Sequence, residues 1–162
     1  MMGAGKTSVG RRLAEVRGWD FFDSDRQIEA MTGKTVAEIW RTEGEPEFRS
    51  LEAQVLADAL ASTTPRVIAA AGGTVLDERN RRLMQLHHPV VWLRARPGTL
   101  ARRVTSGAHR PLLDEEGPAA VLERLEAVRR PFYEEVADVV VDVDDLTQEQ
   151  VVACIEAAID HG

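Results

Sequence analysis

Cysteine and aromatic residues are scarce in this 162-residue chain. The one cysteine, Cys154, excludes a disulfide framework and a cysteine-based metal site, and its place in an apolar helical pattern predicts that it is buried. Aromatic residues make up 5% of the sequence. The three tryptophans, Trp19, Trp40 and Trp92, fall on apolar faces, so we expect them in the core rather than stacked on a ligand.

An excess of positive charge is also lacking. Lysine and arginine number 20 against 27 aspartate and glutamate, which gives a net charge of −7 and argues against a general nucleic-acid binder. A local arginine cluster remains compatible with binding a small anion. No run approaches about 18 apolar residues and no secretory signal is visible, so we expect a cytoplasmic protein with no membrane or nucleic-acid partner.

Helical and strand patterns alternate along the chain. Short apolar strands are predicted at 19–23, 66–73, 89–95 and 138–143, and helices at 5–17, 25–32, 35–44, 46–62, 77–86, 97–104, 119–137 and 147–161, with a break or bend expected at Pro131. Thr35 and Glu38 form a capping-box pattern. This order predicts one α/β domain over residues 1–162, with a parallel sheet flanked by helices and a polar lid at about 106–118.

The opening stretch, MMGAGKTSVGRRL, ends like a phosphate-binding loop that begins a helix. Glycines at 3 and 5 let successive N–H groups point inward, and the helix that follows presents its positive end there. Lys6 would reach the β- and γ-phosphates of a nucleotide, and the Thr7 hydroxyl would bind Mg²⁺. Small residues at 8 and 10 permit close packing of the helix.

The opening departs from the full phosphate-loop pattern, G-x-x-x-x-G-K-[ST], in one respect. Counted back from Gly5-Lys6-Thr7, the first glycine would fall one position before Met1. Such a loop normally follows a buried central strand, and residues 1–4 are too few to form it. We therefore expect the first strand to be absent from this sequence. Two explanations are open: the recorded start codon is too late, or the fold has an empty position in its sheet. Because every later element is intact, we favour the late start codon.

Acidic residues and glycines end two of the predicted strands, at the edge where α/β sheets bind ligands. Asp23 and Asp25 lie two apart, so in an extended segment both point to one side. One would serve a metal ion and the other would orient or deprotonate a substrate hydroxyl; the alternative is that one of them caps the next helix. Gly72 and Gly73 end the 66–73 strand and would let a substrate approach the backbone, unless they form a plain turn.

Four arginines follow the strands at positions that suit an anionic substrate: Arg49, Arg103, Arg110 and Arg129. The guanidinium group donates hydrogen bonds in pairs, which matches carboxylate and phosphate. Taken singly, each arginine is better explained as an exposed surface charge, and their positions become meaningful only together. Arg110 lies in the predicted lid, from which it would bring positive charge to a phosphoryl group as water leaves.

These features together resemble the shikimate kinase family. The matching segments are GAGKTSVGRRLA, FFDSDRQIEAMTGKTVAEIW, GEPEFRSLE, AGGTV, HRPLL and RRPFYEEVAD, and they span essentially the whole chain. The resemblance implies a P-loop fold like that of nucleoside monophosphate kinases, with strand order 2-3-1-4-5 and helices on both faces. It implies an ATP-dependent kinase that phosphorylates the 3-hydroxyl of shikimate on the route to chorismate and the aromatic amino acids, usually as a monomer.

The resemblance also implies roles for single residues. The ATP phosphates would contact Gly3, Ala4, Gly5, Lys6, Thr7 and Ser8, with Mg²⁺ at Thr7 and near Asp23. Arg110 would cover the phosphates and Arg103 would stack near adenine. Asp25 would bind the shikimate hydroxyls as the base or orienting group, and Arg49 and Arg129 would hold its carboxylate, with Glu52 fixing Arg49. Gly72 and Gly73 would line the substrate.

One further departure is that Ala71 replaces the first of three glycines that the family usually has. Two alternatives remain at this point. Another small-metabolite P-loop kinase, such as a gluconate kinase, shares the fold and most of the motifs. A P-loop protein that binds nucleotide without transferring phosphate is compatible with the opening stretch, but it would need neither the two acids nor the lid arginine.

Overall fold

The computed structural model describes residues 1–105 and 117–160. Eight helices and four strands alternate in this part of the chain, as the sequence predicts. In chain order they are α1 (Lys6–Arg17), β1 (Asp20–Asp23), α2 (Ser24–Thr32), α3 (Val36–Thr42), α4 (Glu45–Leu60), β2 (Arg66–Ala69), α5 (Glu78–Gln85), β3 (Val91–Arg94), α6 (Pro97–Thr105), α7 (Pro118–Val136), β4 (Val139–Asp142) and α8 (Gln148–Asp160). A short 3₁₀ helix, Thr74–Leu76, precedes α5.

The helix ends follow from the residues placed there. α1 begins after Gly5 and ends at Gly18, both with positive φ, which glycine adopts without strain. α3 begins with the predicted capping box, in which Thr35 and Glu38 satisfy each other's backbone N–H groups. The predicted break at Pro131 is wrong, because α7 runs on through it to Val136. The burial of Tyr133 and Val136 holds that last turn against the core.

The strands form two parallel pairs. β1 pairs with β2 in the register Asp20↔Arg66 to Asp23↔Ala69, and β3 pairs with β4 from Val91↔Val139 to Arg94↔Asp142. These pairs match strands 2-3 and 4-5 of the predicted order. Among the described residues, none forms a strand between β2 and β3, the place that strand 1 of that order would take.

Two apolar clusters support the fold. The larger one lies around the strands and includes Leu13, Leu100, Leu122 and Val151. The smaller one joins α2, α3 and α4 and consists of buried Ile28, Ile39, Phe48 and Val55. The second cluster fixes α4, and therefore any side chain that α4 presents to the strand ends.

Two sequence-based expectations differ from the structure, and a third is not tested by it. Cys154 is exposed, because α8 turns Val151, Val152 and Ile155 inward and leaves position 154 on the outer face. Trp19 is 38% exposed and packs under the Arg17 guanidinium, whereas Trp92 is buried as expected. The predicted lid, 106–118, lies outside the described residues except for Gly117 and Pro118, which begin α7. No helix in the described ranges has the length and apolar character needed to cross a membrane.

Candidate active site

The stretch before α1 folds as a tight loop around the helix start. Gly3 and Gly5 both have positive φ, 77° and 88°. A Cβ on Gly3 would lie 3.0 Å from the Leu100 carbonyl oxygen, so the loop packs against α6 with no room for a side chain. Lys6 follows at the first position of α1, where its Nζ donates to the Met1 carbonyl at 2.9 Å. The loop and Lys6 therefore place an ammonium group beside the positive end of a helix, a combination that suits a phosphate chain.

Thr7 and Asp23 meet across this helix start. The Thr7 hydroxyl donates to Asp23 Oδ2 at 2.7 Å, while Asp23 Oδ1 accepts from the Arg26 backbone and caps α2. Asp23 thus caps the next helix, which is one of the roles that the sequence left open, and its other oxygen contacts Thr7. A hydroxyl and a carboxylate, both hard oxygen donors, fit Mg²⁺, which typically takes one or two protein ligands and completes its shell with phosphate oxygens and water. The described residues hold no cluster of three or more His, Cys, Asp or Glu side chains that could hold a metal ion.

Ser24 joins the two acids to the glycine segment of the neighbouring strand. Its hydroxyl oxygen accepts a hydrogen bond from the Ala71 backbone N–H at 3.0 Å, and the residue is buried. Asp25, the next residue, turns into the same cavity as Gly72 and Gly73. The bond between Ser24 and Ala71 therefore fixes the distance between Asp25 and the backbone of Gly72 and Gly73.

Arg49 reaches the glycine segment from α4. Its Nη1 donates to Glu52 Oε2 at 2.5 Å and its Nη2 to Glu45 Oε1 at 3.0 Å. The guanidinium also lies over the rings of Trp40 and Phe48, at 5.5 and 5.7 Å from their centroids. A Cβ on Gly73 would come within 2.1 Å of Arg49 Nη1, so only glycine leaves this guanidinium in place.

Glu52 is the buried anchor of this arrangement, with 2% of its side chain exposed. Burial raises the pKa of its carboxyl above the ordinary value, the Arg49 ion pair opposes that rise, and the charge of Asp25 adds to it. Burial alone would lower the pKa of Arg49, but its bonds to Glu52 and Glu45 raise it. Arg49 therefore stays charged in a partly dry site.

Arg129 and Tyr133 approach the same glycines from α7. Arg129 is 5% exposed, and its Nη1 lies 3.4 Å from the position of a Cβ on Gly72. The Tyr133 hydroxyl donates to the Gly72 carbonyl at 2.6 Å, and its ring stacks on Trp92 at 5.4 Å. Burial raises the pKa of the Tyr133 hydroxyl, with the charge of Arg129 opposing, so this group remains a donor.

The phosphate loop, the two acids, the glycine segment and the arginines line one cavity of about 640 Å³, which Ser24 and Tyr133 do not line. Five cations (Lys6, Arg11, Arg49, Arg103, Arg129) and three carboxylates (Asp23, Asp25, Glu52) face it, although the chain as a whole is acidic. Arg103 stands exposed at its rim, where Nη2 donates to the Val143 carbonyl at 2.9 Å. Arg110 lies outside the described residues. The cavity is thus suited to two anionic ligands, one on the phosphate loop and one between the arginines.

Sequence reasoning missed two residues that hold the site together, Ser24 and Tyr133. Both act through hydrogen bonds between segments far apart in the chain, Ser24 to Ala71 and Tyr133 to Gly72. Each was visible only as a neighbour of a residue already singled out, Ser24 between the two acids and Tyr133 one turn beyond Arg129. A helical spacing of four from Arg129 is the one signal that would have indicated Tyr133.

Comparisons with known proteins point to one family. The sequence model of a family described as shikimate kinase matches residues 2–160. A shikimate kinase of Chromobacterium violaceum is 45% identical over 161 residues, which is 99% of this chain and 85% of that protein. One of Symbiobacterium thermophilum is 46% identical over 155 residues, 94% of this chain and 88% of that protein.

A solved structure is similar as well. Shikimate kinase from Acinetobacter baumannii in complex with shikimate superposes with a TM-score of 0.92 at 34% identity, over 99% of this chain and 89% of that one. The likeness therefore covers the fold and nearly all of the described residues.

Proposed function

The chain belongs to the shikimate kinase family, and we propose that the cavity described above transfers the γ-phosphate of ATP to the 3-hydroxyl of shikimate. The products are ADP and shikimate 3-phosphate, a step toward chorismate and the aromatic amino acids. One observation carries the assignment of the acid substrate. Arg49 and Arg129, from two different helices, converge on Gly72 and Gly73 beside Asp25, in the same cavity as the phosphate loop.

The phosphate loop is the ATP subsite in this proposal. Backbone N–H groups of Gly3, Ala4 and Gly5, with Thr7 and Ser8 at the start of α1, hold the phosphate oxygens. Lys6 exchanges its bond to the Met1 carbonyl for the β- and γ-phosphates. Arg103 borders the adenine, and Arg110 adds positive charge over the γ-phosphate. Thr7 and Asp23 would hold Mg²⁺, which supplies charge neutralisation between the phosphates when bound.

The acid subsite lies between α4 and α7. Arg49 and Arg129 bind the shikimate carboxylate, since paired donors at fixed angles match a carboxylate. The backbone of Gly72 and Gly73 lines one side of the ring, and Tyr133 holds Gly72 there. Asp25 accepts hydrogen bonds from the hydroxyls and orients the one that reacts.

The transfer then needs little covalent chemistry from the protein. The oriented oxygen attacks the γ-phosphorus, the bond to the bridging β–γ oxygen breaks, and ADP leaves with that electron pair. Asp25 takes the hydroxyl proton and passes it to solvent. Lys6, with Arg110, stabilises the charge on the transferring group, which is the larger share of catalysis in this class of reaction.

We further propose that the protein acts in the cytoplasm as a monomer, with small molecules rather than nucleic acid or membrane as its partners. The family resemblance and the acidic net charge of −7 support this. Light scattering of the purified protein gives the oligomeric state directly.

The activity test uses the purified protein with ATP, Mg²⁺ and shikimate, followed by ³¹P NMR. We expect ADP and a phosphate monoester on shikimate in equal amounts, and none with Lys6→Ala. Gluconate in place of shikimate should give little product. ADP release without a phosphorylated acid, or faster turnover of gluconate, would contradict the proposal.

Binding of the acid is tested with a matched pair of arginines on α7. Arg129→Ala removes the buried guanidinium beside Gly72 and should raise the KM for shikimate about tenfold or more, roughly 1.4 kcal/mol, while the KM for ATP stays within about twofold. Arg130→Ala is the control, because Arg130 is exposed and pairs with Glu126. Equal effects of the two changes would remove Arg129 from the acid subsite.

A further inference from the structure

Hydrogen bonds hold the backbone of residues 71–76, the segment that contains both site glycines. All six of its carbonyl groups accept a bond. Two of these bonds come from inside the segment, from Thr74 to Ala71 and from Leu76 to Gly73. Side chains outside the segment donate the rest: Tyr133 to Gly72, Asn80 to Thr74, and Arg81 to Val75 and Leu76. Two helices, α5 and α7, therefore set the position of the glycine backbone.

Arg81, on α5, joins this segment to α7. Its Nη1 donates to the Val75 and Leu76 carbonyls at 2.9 and 3.3 Å, and its Nε donates to Glu135 Oε2 at 2.9 Å. The same guanidinium lies over the Phe132 ring, 4.4 Å from its centroid. Only 11% of the side chain is exposed, so its contacts fix it in place. A rigid, planar group with several donors suits such a bridge, since it can bind partners on both sides at once.

The bridge meets α7 about one turn beyond Arg129. Phe132 and Tyr133 follow Arg129 by three and four residues, so they lie on the same side of the helix. Two links thus hold α7 to residues 71–76, Tyr133 at Gly72 and Arg81 farther along the segment. Arg81 is not among the described residues that line the active-site cavity. Any effect of Arg81 on a substrate therefore passes through the parts that it joins.

We propose that Arg81 is a positioning residue for the acid subsite: it holds α7 against residues 71–76 and so aligns Arg129 with the backbone of Gly72 and Gly73. The inference rests on the proposed function, in which Arg129 and these glycines bind one substrate. A displacement of about 1 Å in a site can cost about 100-fold in rate, so a link outside the cavity matters inside it. The alternative is that the Arg81 charge attracts the anionic substrate from a distance.

Kinetics of three α5 variants separate these roles. Arg81→Ala should raise the KM for shikimate about tenfold or more and leave the KM for ATP within about twofold. Arg81→Lys keeps the charge but lacks the fork of donors, so we expect a rise of about threefold or more. Arg82→Ala is the control, because Arg82 is exposed and pairs with Glu78 on the same helix, and it should change neither KM. A wild-type KM in Arg81→Lys would assign the effect to charge and overturn the proposal, as would equal rises in both KM values.

A double-mutant cycle tests whether Arg81 acts through Arg129. In a chain that already carries Arg129→Ala, the further change Arg81→Ala should raise the KM for shikimate by about twofold or less, because the group that Arg81 aligns is gone. A full tenfold rise in that background would show that the two residues act independently and would overturn the proposal.

Hydrogen exchange tests the link without relying on activity. The amides of Thr74 and Leu76 donate within the held segment, so they should exchange about tenfold faster or more in Arg81→Ala than in Arg82→Ala, while amides in α3 change little. Equal exchange in the two variants would overturn the inference about Arg81. A wild-type chain that does not phosphorylate shikimate would instead contradict the proposed function, so the two failures are distinguishable.

Discussion

Gly73 is the residue at which one added methyl group should separate folding from function. Its Cβ would lie 2.1 Å from Arg49 Nη1, the far end of a side chain that can move. Gly73→Ala should therefore displace the guanidinium and leave the fold in place. We expect the KM for shikimate to rise about tenfold, or roughly 1.4 kcal/mol of lost binding, with the KM for ATP unchanged. Steady-state kinetics and a thermal melt check this, and an unaltered KM for shikimate would show that Arg49 has no role in binding it.

Glu52 gives the site a pH dependence of a definite sign. Its folded-state pKa is raised, so the folded chain holds this proton more tightly than the unfolded chain does. Its contribution to stability is full below the unfolded glutamate pKa of about 4.3 and is lost as pH rises through the raised folded value. The free energy of unfolding of the wild type minus that of Glu52→Gln should thus grow as pH falls from 7 toward 4.5. Denaturant unfolding at several pH values measures this difference, and a flat profile would contradict it.

Some residues of the site are placed by local sequence and others by contacts between distant segments. Gly3, Lys6 and Thr7 act within one short loop, so local spacing predicts their placement, and Asp23 follows because strand ends meet at one edge. The bonds from Ser24 to Ala71 and from Tyr133 to Gly72 join remote segments, and nothing in the local sequence specifies them. The apolar neighbours of Cys154 predict that it is buried. They do not show which side of α8 faces the core, and the structure turns Val151, Val152 and Ile155 inward instead.

Among the elements, α1 shows how closely a helix can approach the strands beside it. Gly10 makes the contact, because a Cβ there would lie 2.9 Å from Phe21 on β1 and 3.5 Å from Val67 on β2. Gly10→Ala should lower stability by about 1–3 kcal/mol, despite alanine's better helix propensity. Gly98→Ala in α6 is the control, since its Cβ would meet nothing within 4 Å, and it should be neutral or stabilising. Thermal melts of both variants check this, and equal Tm values would contradict close packing at Gly10.

The predicted strand ends lie within four residues of the observed ones, and two of them coincide. The largest error is at the 66–73 run, where β2 stops at Ala69. Ala71, Gly72 and Gly73 leave the strand to meet Ser24, Tyr133 and Arg49, so the site and not hydrophobicity ends this strand. Periodicity reports which residues are apolar, and it cannot report where a chain turns toward a ligand.

At the scale of the whole molecule, charge is distributed unevenly between the cavity and the rest of the surface. The chain carries −7 overall, yet cations outnumber carboxylates around the active site. Long-range repulsion of an anionic substrate by the surface is screened by salt, whereas short contacts in the cavity are screened less, with a Debye length near 10 Å at 0.1 M. We expect the kcat/KM for shikimate to change by less than about threefold between 0.05 and 0.5 M KCl. A steep fall would show that the arginines act at long range and not in contact.

The two apolar clusters support different parts of the active site, and this separation affects how the protein can evolve. Ile28, Ile39, Phe48 and Val55 support the helices that carry Asp25, Arg49 and Glu52, while the larger cluster supports the phosphate loop. Substitutions inherited in the small cluster can therefore shift the groups that face the acceptor and leave the nucleotide subsite intact. A lineage of such proteins is free to explore new acceptor alcohols while keeping the same phosphate donor.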